Sequence, residues 1–326
     1  MTGPSDAAAA LVDRADLDEL TRFVDRLAAG AEWDEVLRVR DLCRAALQRG
    51  RQLWPVASRC EYLVALEAPG SCAASVLVEG AGHFAFGPLA EVAACAHSWP
   101  DVAPHLPPGP VSAMFAHERV VRGEDLSGAG GIPNVLDLPF ALCRWEPAYA
   151  LAEYRPGEAH FPAPATPRLS PVELPADAPA VRPAEPDLER ALLDVVGGWT
   201  AESNGRAAVA AVDGPAAAAI RALGPKRARM AAVGPATAVS HMAWAGASGG
   251  AHGRRRGAAA GRFAAWWAAA ALLGALDDWP VATLDVDRLD WHLWDAGEPA
   301  TGWSLRVAVH DPAAGTSWAL AATDAT

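Results

Sequence analysis

Lysine is almost absent from this chain, since Lys226 is the only one among 27 basic residues. Because arginine takes its place throughout, an arginine is by itself weak evidence for a site that needs a guanidinium. Acidic residues outnumber basic ones, 39 against 27, and the formal net charge is −12. This balance argues against a protein that coats nucleic acid over its whole surface, but it leaves room for a local basic patch.

Cysteine and long apolar runs are also scarce. The five cysteines are an odd number and no two have C-x-x-C spacing, so free thiols in a reducing compartment are the simplest interpretation. The most apolar segment, Phe263 to Leu276, has 14 uncharged residues, whereas a membrane-spanning helix needs about 20. No basic segment precedes an apolar one at the N-terminus, as it does in a secretory signal. We therefore expect a cytoplasmic protein without membrane contact.

Acidic residues are missing from one long part of the chain. Gly214 to Leu276 spans 63 residues with eight basic and no acidic side chains. Asp277 to Thr326 is the reverse, with nine acids against Arg288 and Arg306. Three interpretations stay open: the two regions neutralise each other, the basic region is a solvated face, or it binds an external anion.

Within the basic region, residues 246–257 form a glycine-rich loop, GASGGAHGRRRG, that runs directly into a long apolar helix. Glycine lets a backbone approach a ligand closely, and a helix N-terminus offers free N–H groups and a partial positive charge. Arginines at that end oppose the helix dipole unless an anion neutralises them. The pattern therefore favours a phosphate or carboxylate site. The predicted ligand-binding residues are Gly249, Gly250, His252, Gly253, Arg254, Arg255, Arg256, Gly257 and Arg229.

The same loop contains the nucleophile-elbow pattern G-x-S-x-G around Ser248. Asp285 and His310 follow in the order that an α/β-hydrolase uses, which gives a candidate triad. A C-terminal domain of 140 residues that ends in antiparallel strands has too little room for a hydrolase sheet. The pattern also arises readily in a chain rich in alanine and glycine. A serine hydrolase is therefore an alternative function.

No cofactor and no metal site are predicted. Asp285 and Asp287 could share a strand face and hold a divalent cation, but solvated carboxylates on an exposed face are more common. His117-Glu118 lacks the second histidine of a zincin helix, and no Walker loop or zinc ribbon is present.

The N-terminal part of the chain is predicted to be helical. Residues 1–14 are expected to form a flexible tail and residues 15–125 an all-helical domain. Apolar residues recur at i, i+3 and i+4 between Gly and Pro breaks, which predicts helices at 16–29, 33–48, 53–67, 72–78, 88–97 and 111–121. Solenoid-like helical hairpins and an irregular bundle both fit this pattern. Such a domain can bind a protein partner on a concave face, or it can simply pack on its neighbour, and both interpretations stay open.

Residues 126–186 hold 12 prolines and are expected to lack regular helix. Large apolar side chains, among them Leu138, Trp145 and Tyr149, predict that the first half lies ordered on one or both domains. Residues 156–183 fit a linker better.

Residues 187–326 are predicted to form an α/β domain with a mixed sheet, which makes the whole chain α+β. Trp303 to Val309 alternates between apolar and polar, Asp311 to Gly315 is a turn, and Trp318 and Leu320 alternate on a return strand. Together with residues 284–293, where the alternation slips near Asp287-Arg288 and indicates a bulge, they predict a three-stranded antiparallel meander. Trp294 has the opposite parity from Leu293, and if exposed it would favour base stacking.

These patterns predict a non-catalytic binding or adaptor protein. Its basic loop would contact an anionic partner, either nucleic acid or a nucleotide-like ligand, and its helical domain a protein. The alternatives are the serine hydrolase and a structural assembly protein whose arginine cluster pairs with aspartates. The oligomeric state is left open.

Overall fold

The chain divides into two units whose boundaries cut through the proline-rich segment. The structure, a computed structural model, describes residues 4–182, 185–298 and 302–325. The N-terminal unit combines Met1–Val135 with Ala152–His160, and the C-terminal unit combines Leu136–Leu151 with Phe161–Thr326. The predicted α+β class is confirmed, with helices first and a sheet-containing region after them.

The N-terminal unit contains eight described α-helices and a small hairpin. They are α1 (Pro4–Arg14), α2 (Leu17–Ala29), α3 (Trp33–Leu47), α4 (Trp54–Glu67), α5 (Gly70–Val76), α6 (Leu89–Ala96), α7 (Trp99–Val102) and α8 (Pro110–Val121), with β1 (Glu153–Arg155) and β2 (Glu158–His160). Helix α4 is the centre of this unit, because it is buried on all sides and packs against α2, α3, α5 and α6. Helices of 4 to 15 residues around one central helix do not form a series of equal repeats.

The N-terminal segment differs from the expected flexible tail. Residues 4–14 form α1, with Leu11 and Val12 buried, and α1 packs against α3. Its alanine-rich sequence has high helix propensity, and its apolar side chains find a partner surface that local patterns do not reveal.

The C-terminal unit contains six strands and five α-helices among the described residues. They are β3 (Ser170–Val172), α9 (Pro186–Asp194), α10 (Gly197–Ala201), β4 (Arg206–Asp213), α11 (Ala216–Ala222), β5 (Ala228–Val233), α12 (Pro235–Ala247), α13 (Ala258–Leu272), β6 (Asp290–Asp295), β7 (Trp303–Asp311) and β8 (Thr316–Asp324).

The six strands form one sheet in the order β3-β5-β6-β7-β8-β4, and the predicted meander is its β6-β7-β8 part. The sequence predicts a mixed sheet, and this prediction is wrong. Each of the five pairings in the sheet is antiparallel. The helix α11 connects β4 to β5, but three strands lie between these two in the sheet. They run in the same direction without pairing, so the crossover creates no parallel neighbours.

The sheet separates two apolar layers. One face packs against α9, α12 and α13 through residues such as Leu293, Val307 and Leu320. The shorter helix α11 covers part of the other face with Ala219 and Ile220. Helices α12 and α13 cross closely, because a Cβ on Gly261 would lie 2.1 Å from the carbonyl oxygen of Ala243. This crossing sets the position of the loop that joins the two helices.

The first half of the proline-rich segment is tied to α13 by a buried ion pair. Arg262 on α13 is fully buried, and its guanidinium donates to both carboxylate oxygens of Glu146 at 2.7 and 2.8 Å. It also donates to the carbonyl oxygens of Pro139 and Ala141 at 2.9 and 3.0 Å. Residues 136–151 are therefore an ordered part of the C-terminal unit, as expected for this half. Residues 170–172 of the expected linker form β3 instead, an edge strand of the sheet.

The buried pair predicts a specific loss of stability in acid. Burial is the largest single influence on Glu146 and raises its pKa, but the hydrogen bonds and charge of Arg262, together with hydrogen bonds from Tyr149 and Cys143, outweigh it and lower the pKa of the carboxyl below its usual value. A carboxyl with a lowered folded-state pKa stabilises the fold fully above the unfolded value of about 4.3, and this contribution is lost as the pH falls further. We expect urea unfolding between pH 7 and pH 3 to show that loss in the wild type. Glu146→Gln, which cannot titrate, should be less stable at pH 7 and show a smaller change with pH; equal pH dependence in both would contradict the assignment.

Among the described residues, no helix has the length and apolar character that a membrane span requires.

Candidate functional site

The predicted glycine-rich loop connects α12 to α13 and closes on itself through backbone hydrogen bonds. The N–H groups of Arg256 and Gly257 donate to the carbonyl oxygen of Ala247 at 2.8 and 3.3 Å, and Gly253 N–H donates to Gly249 at 3.1 Å. A Cβ on Gly249 would lie 2.3 Å from the carbonyl oxygen of Arg254. The glycines therefore serve the close approach of the loop to itself.

Two other loop glycines adopt backbone angles that side chains rarely allow. Gly250 has φ +74° and Gly257, which precedes the first turn of α13, has φ +98°. A Cβ on Gly250 would also lie 2.0 Å from Asp324 Oδ2. Both positions require glycine for conformational reasons, whatever the loop binds.

Acidic and polar side chains of the same unit hold the loop backbone. Asp324, at the end of β8, is 1% exposed, and its Oδ2 accepts from Ala251 N–H at 2.6 Å. The Oγ of Ser203 accepts from His252 N–H at 3.1 Å, and Glu202 Oε2 accepts from Arg254 N–H at 3.4 Å. Two of these acceptors are carboxylates. Internal anions thus occupy part of the place where sequence reasoning expects an external one.

Three of the four cationic side chains of the loop are exposed. His252, Arg254 and Arg256 are exposed. Arg255 is half-buried and lies over the ring of Phe161, with its guanidinium carbon 4.6 Å from the ring centroid. No acidic residue occurs in the first turn of α13. The site therefore presents two exposed guanidiniums and an imidazole on a backbone that its own contacts fix.

Arg229 does not join this group. It lies on β5, three strands away from β8, and its guanidinium donates to both carboxylate oxygens of Asp295 at 2.9 and 2.7 Å. These hydrogen bonds lower the pKa of Asp295 below its usual value. Arg229 of the basic region is therefore neutralised by Asp295 of the acidic region, as the first of the three interpretations predicts.

The structure does not bring Ser248, Asp285 and His310 together. Ser248 is 3% exposed and follows a helix, whereas a nucleophile elbow follows a strand. Its Oγ accepts from Trp199 Nε1 at 2.7 Å and donates to Ala245 O at 3.0 Å. His310 Nδ1 lies 2.9 Å from Ser317 Oγ, and Asp285 is exposed beside a short 3₁₀ turn. Among the described contacts, neither His310 nor Asp285 touches Ser248.

We therefore expect Ser248→Ala to affect stability. The change leaves the fully buried indole N–H of Trp199 without its acceptor, and it should cost about 1–2 kcal/mol of unfolding free energy. Ser304→Ala removes the same atom from an exposed position on β7 and should be nearly neutral. Urea unfolding of both variants measures the difference. A fluorophosphonate probe that labels wild-type Ser248 would contradict this role.

The structure also decides whether Trp294 is exposed. Trp294 is not exposed: it is buried beneath α11, on the face of the sheet opposite α12 and α13, and so offers no surface for base stacking. Trp294 does lie on the opposite face of the sheet from Leu293, as its parity predicts, but α11 covers that face. Within the part of the chain that the structure describes, no three His, Cys, Asp or Glu side chains are grouped so that they could hold a metal ion.

Asp324 is the site residue that sequence reasoning missed. A signal was present, because Trp318, Leu320, Ala322 and Asp324 alternate along β8 and so face the same side of the sheet. An acid that continues an inward-facing apolar row must find a buried donor. Only the fold identifies that donor as Ala251 in the loop, 73 residues earlier in the chain.

The comparisons with known proteins identify a family but no activity. No curated protein and no solved structure matches the chain significantly. One family model matches, and it extends over residues 18–326, which is nearly the whole chain and includes both units. The chain therefore belongs to the family described as DUF6183, a family of unknown function.

Proposed function

We propose that the protein is a non-catalytic binding protein whose C-terminal unit contacts the phosphate backbone of nucleic acid. The contact is made by the side chains of His252, Arg254 and Arg256. The observation that carries the proposal is the exposure of these three side chains on a loop that the fold holds in place.

A fixed loop backbone favours binding because less of the loop's freedom is lost when the partner arrives. The contacts of Asp324 and Ser203 hold the loop backbone, and the stacking of Arg255 on Phe161 adds a further restraint. A preorganised group loses less conformational entropy on association than a flexible one. The three positions lie within five consecutive residues, so they suit neighbouring phosphates of one strand.

The geometry favours a polyanion over a single nucleotide. A nucleotide-binding loop holds its phosphates with backbone N–H groups, but those of Ala251 and Arg254 already donate to Asp324 and Glu202. The side chains of His252, Arg254 and Arg256 are exposed, so a polyanion would reach them from the surface. Surface contacts of this kind give weak binding that depends on salt and little on sequence.

R254Q/R256Q tests this proposal. Wild-type protein should raise the fluorescence anisotropy of a labelled 20-nucleotide DNA at about 50 mM salt, and the variant should bind about tenfold more weakly. The control R190Q/R227Q removes the same charge from exposed positions elsewhere in the unit and should bind like the wild type. A fluorescent ATP analogue serves as the nucleotide arm. ATP binding without DNA binding, or equal loss in both variants, would contradict the proposal.

The second candidate is a structural assembly protein. The pairs Arg229–Asp295 and Arg262–Glu146 favour it, because in both of them a basic group is neutralised within the chain. On this hypothesis R254Q/R256Q lowers the thermal midpoint or changes the oligomeric state without affecting a nucleic-acid complex. Differential scanning fluorimetry and sedimentation velocity on the same two variants separate the candidates.

The N-terminal unit has exposed apolar side chains that suit a protein partner. Val78, Phe84 and Phe86 are exposed apolar side chains near or within the loop between α5 and α6. Exposed aromatic side chains are common in protein-binding surfaces. We propose this loop as the contact with a protein partner; if so, Phe84→Ser should reduce the binding of an apolar dye while leaving the thermal midpoint close to that of the wild type.

A further inference from the structure

A cleft of about 370 Å³ opens at the C-terminal end of α13. This lies within the usual range of about 300–1,000 Å³ for small-molecule sites. The apolar side chains of Leu188, Leu272 and Trp318 line it, and beyond them a small apolar void shares Leu272 and Trp318 with the cleft. Arg182, Glu185 and Arg288 supply charge. No function proposed above uses these residues.

The two arginines keep donors available. Nη1 of Arg182 donates to Asp213 Oδ1 and Thr316 Oγ1 at 2.9 and 2.8 Å, while its Nε and Nη2 donate to no described residue. Nη2 of Arg288 makes two long contacts, 3.3 Å to Leu273 O and 3.4 Å to Asp311 Oδ2. A guanidinium has five N–H donors. Each arginine can therefore bind a further carboxylate without giving up its present partner.

The same cleft also attracts positive charge. The carboxylate of Glu185 is exposed and accepts no hydrogen bond from a described residue. Asp311 lines the cleft, and the carbonyl end of α13 contributes a partial negative charge beside it. A simple anion would meet this negative side, and a simple cation would meet the two arginines. The lining suits a molecule that carries both charges.

We infer that this cleft binds a small zwitterion with an apolar body, of the size of an α-amino acid or a dipeptide. Its carboxylate contacts Arg182 and Arg288, its ammonium group contacts Glu185, and its apolar part lies against Leu272 and Trp318. The volume of about 370 Å³ lies near the lower end of the usual range for small-molecule sites, which suits a ligand of this size.

This inference is independent of the proposed nucleic-acid contact. The cleft lies at one end of α13 and the basic loop at the other, and a helix of 15 residues is about 22 Å long. Substitutions at one site therefore leave the other unchanged. R254Q/R256Q is the control for the cleft, and the cleft variants are controls for the loop.

Isothermal titration calorimetry with L-leucine, L-phenylalanine and the dipeptide Leu-Phe tests the inference. The full-length protein should bind at least one of them, and the N-acetylated or the C-amidated form of that ligand should bind about tenfold more weakly, since each lacks one charge. Arg182→Gln and Glu185→Gln should each lower the affinity for the unmodified ligand by a similar factor, and R254Q/R256Q should leave that affinity unchanged. Arg182→Gln should fold, because its ion pair with Asp213 is largely exposed.

Glu185→Gln is the safer of the two variants, because it removes no described contact. The absence of heat with all three ligands at millimolar concentration would overturn the inference. Equal affinity for the N-acetylated ligand would also overturn it, since the ammonium group would then play no part. If both cleft variants bind the ligand as tightly as the wild type does, the ligand binds elsewhere and the inference is overturned.

Discussion

Replacing Arg262 by methionine is expected to destabilise the C-terminal unit by about 3–5 kcal/mol, the largest effect that we predict. The substitution leaves the carboxylate of Glu146 buried without its cation. It also removes the donors of the carbonyl oxygens of Pro139 and Ala141, which keep residues 136–151 on α13. Urea unfolding at pH 7, followed by tryptophan fluorescence, measures the loss. Ten of the 13 tryptophans lie in this unit, so the signal reports mainly on it.

Two variants show whether the ion pair itself is responsible. Arg262→Met/Glu146→Leu should recover part of the loss, because the unpaired buried charge is then gone. Arg190→Met removes an exposed arginine from α9 of the same unit and should change the stability by less than about 0.5 kcal/mol. A loss below about 1 kcal/mol for Arg262→Met would mean that the pair does not hold the segment.

Gly249→Ala is expected to cost about 2–3 kcal/mol and to weaken nucleic-acid binding at the same time. The added methyl carbon would lie 2.3 Å from both the carbonyl oxygen of Arg254 and the carbonyl carbon of Gly253. Both are backbone atoms, so the loop must open to accommodate it, which places the cost at the upper end of the usual range for overpacking. Once opened, the loop no longer holds Arg254 and Arg256 in one arrangement. Urea unfolding and DNA anisotropy measure the two effects.

Gly197→Ala is the matched control for this change. A Cβ at Gly197, the first residue of α10, meets open space, and this substitution should be neutral or slightly stabilising. Gly249→Ala with wild-type stability would show that the loop adapts easily. Destabilisation with unchanged DNA affinity would separate the closed loop from the binding and contradict its role in presenting the arginines.

Local sequence patterns predict most helices because each pattern and its structure involve the same residues. The apolar spacing of residues 33–48 predicts α3, and the alternation from Trp303 to Val309 predicts β7. At residues 284–293 the pattern is less informative: the slip near Asp287-Arg288 is a 3₁₀ turn at Val286–Arg288, and β6 begins only at Asp290. A strand with a bulge and a strand preceded by a turn give similar alternation.

Features that depend on distant pairing could not be predicted in the same way. The expectation of a mixed sheet was wrong because strand order is decided by partners far apart in the chain, such as β4 with β8. The proline-rich residues 136–151 carry apolar side chains that predict order. Their partner, however, is Arg262, which is 116 residues away from Glu146.

The candidate site shows the same limit. The local sequence locates the basic loop, because its glycines and arginines lie within one short segment. It cannot tell which basic groups have internal partners: Arg229, although exposed, pairs with Asp295 of the neighbouring strand. The alternation along β8 indicates that Asp324 faces inward, but it does not indicate that the partner of Asp324 is the loop.

The salt dependence of DNA binding tests the central claim most directly, because it counts the ionic contacts that the loop makes. For the wild type we predict that the logarithm of the binding constant falls with the logarithm of salt concentration with a slope of about −1.4 to −2.1, as expected for two to three phosphate contacts on single-stranded DNA. R254Q/R256Q should make the slope shallower by about 1.4, the share of two single-strand phosphate contacts, and R190Q/R227Q should leave it unchanged. Equal slopes for the wild type and R254Q/R256Q would contradict the claim that this loop binds the phosphate backbone.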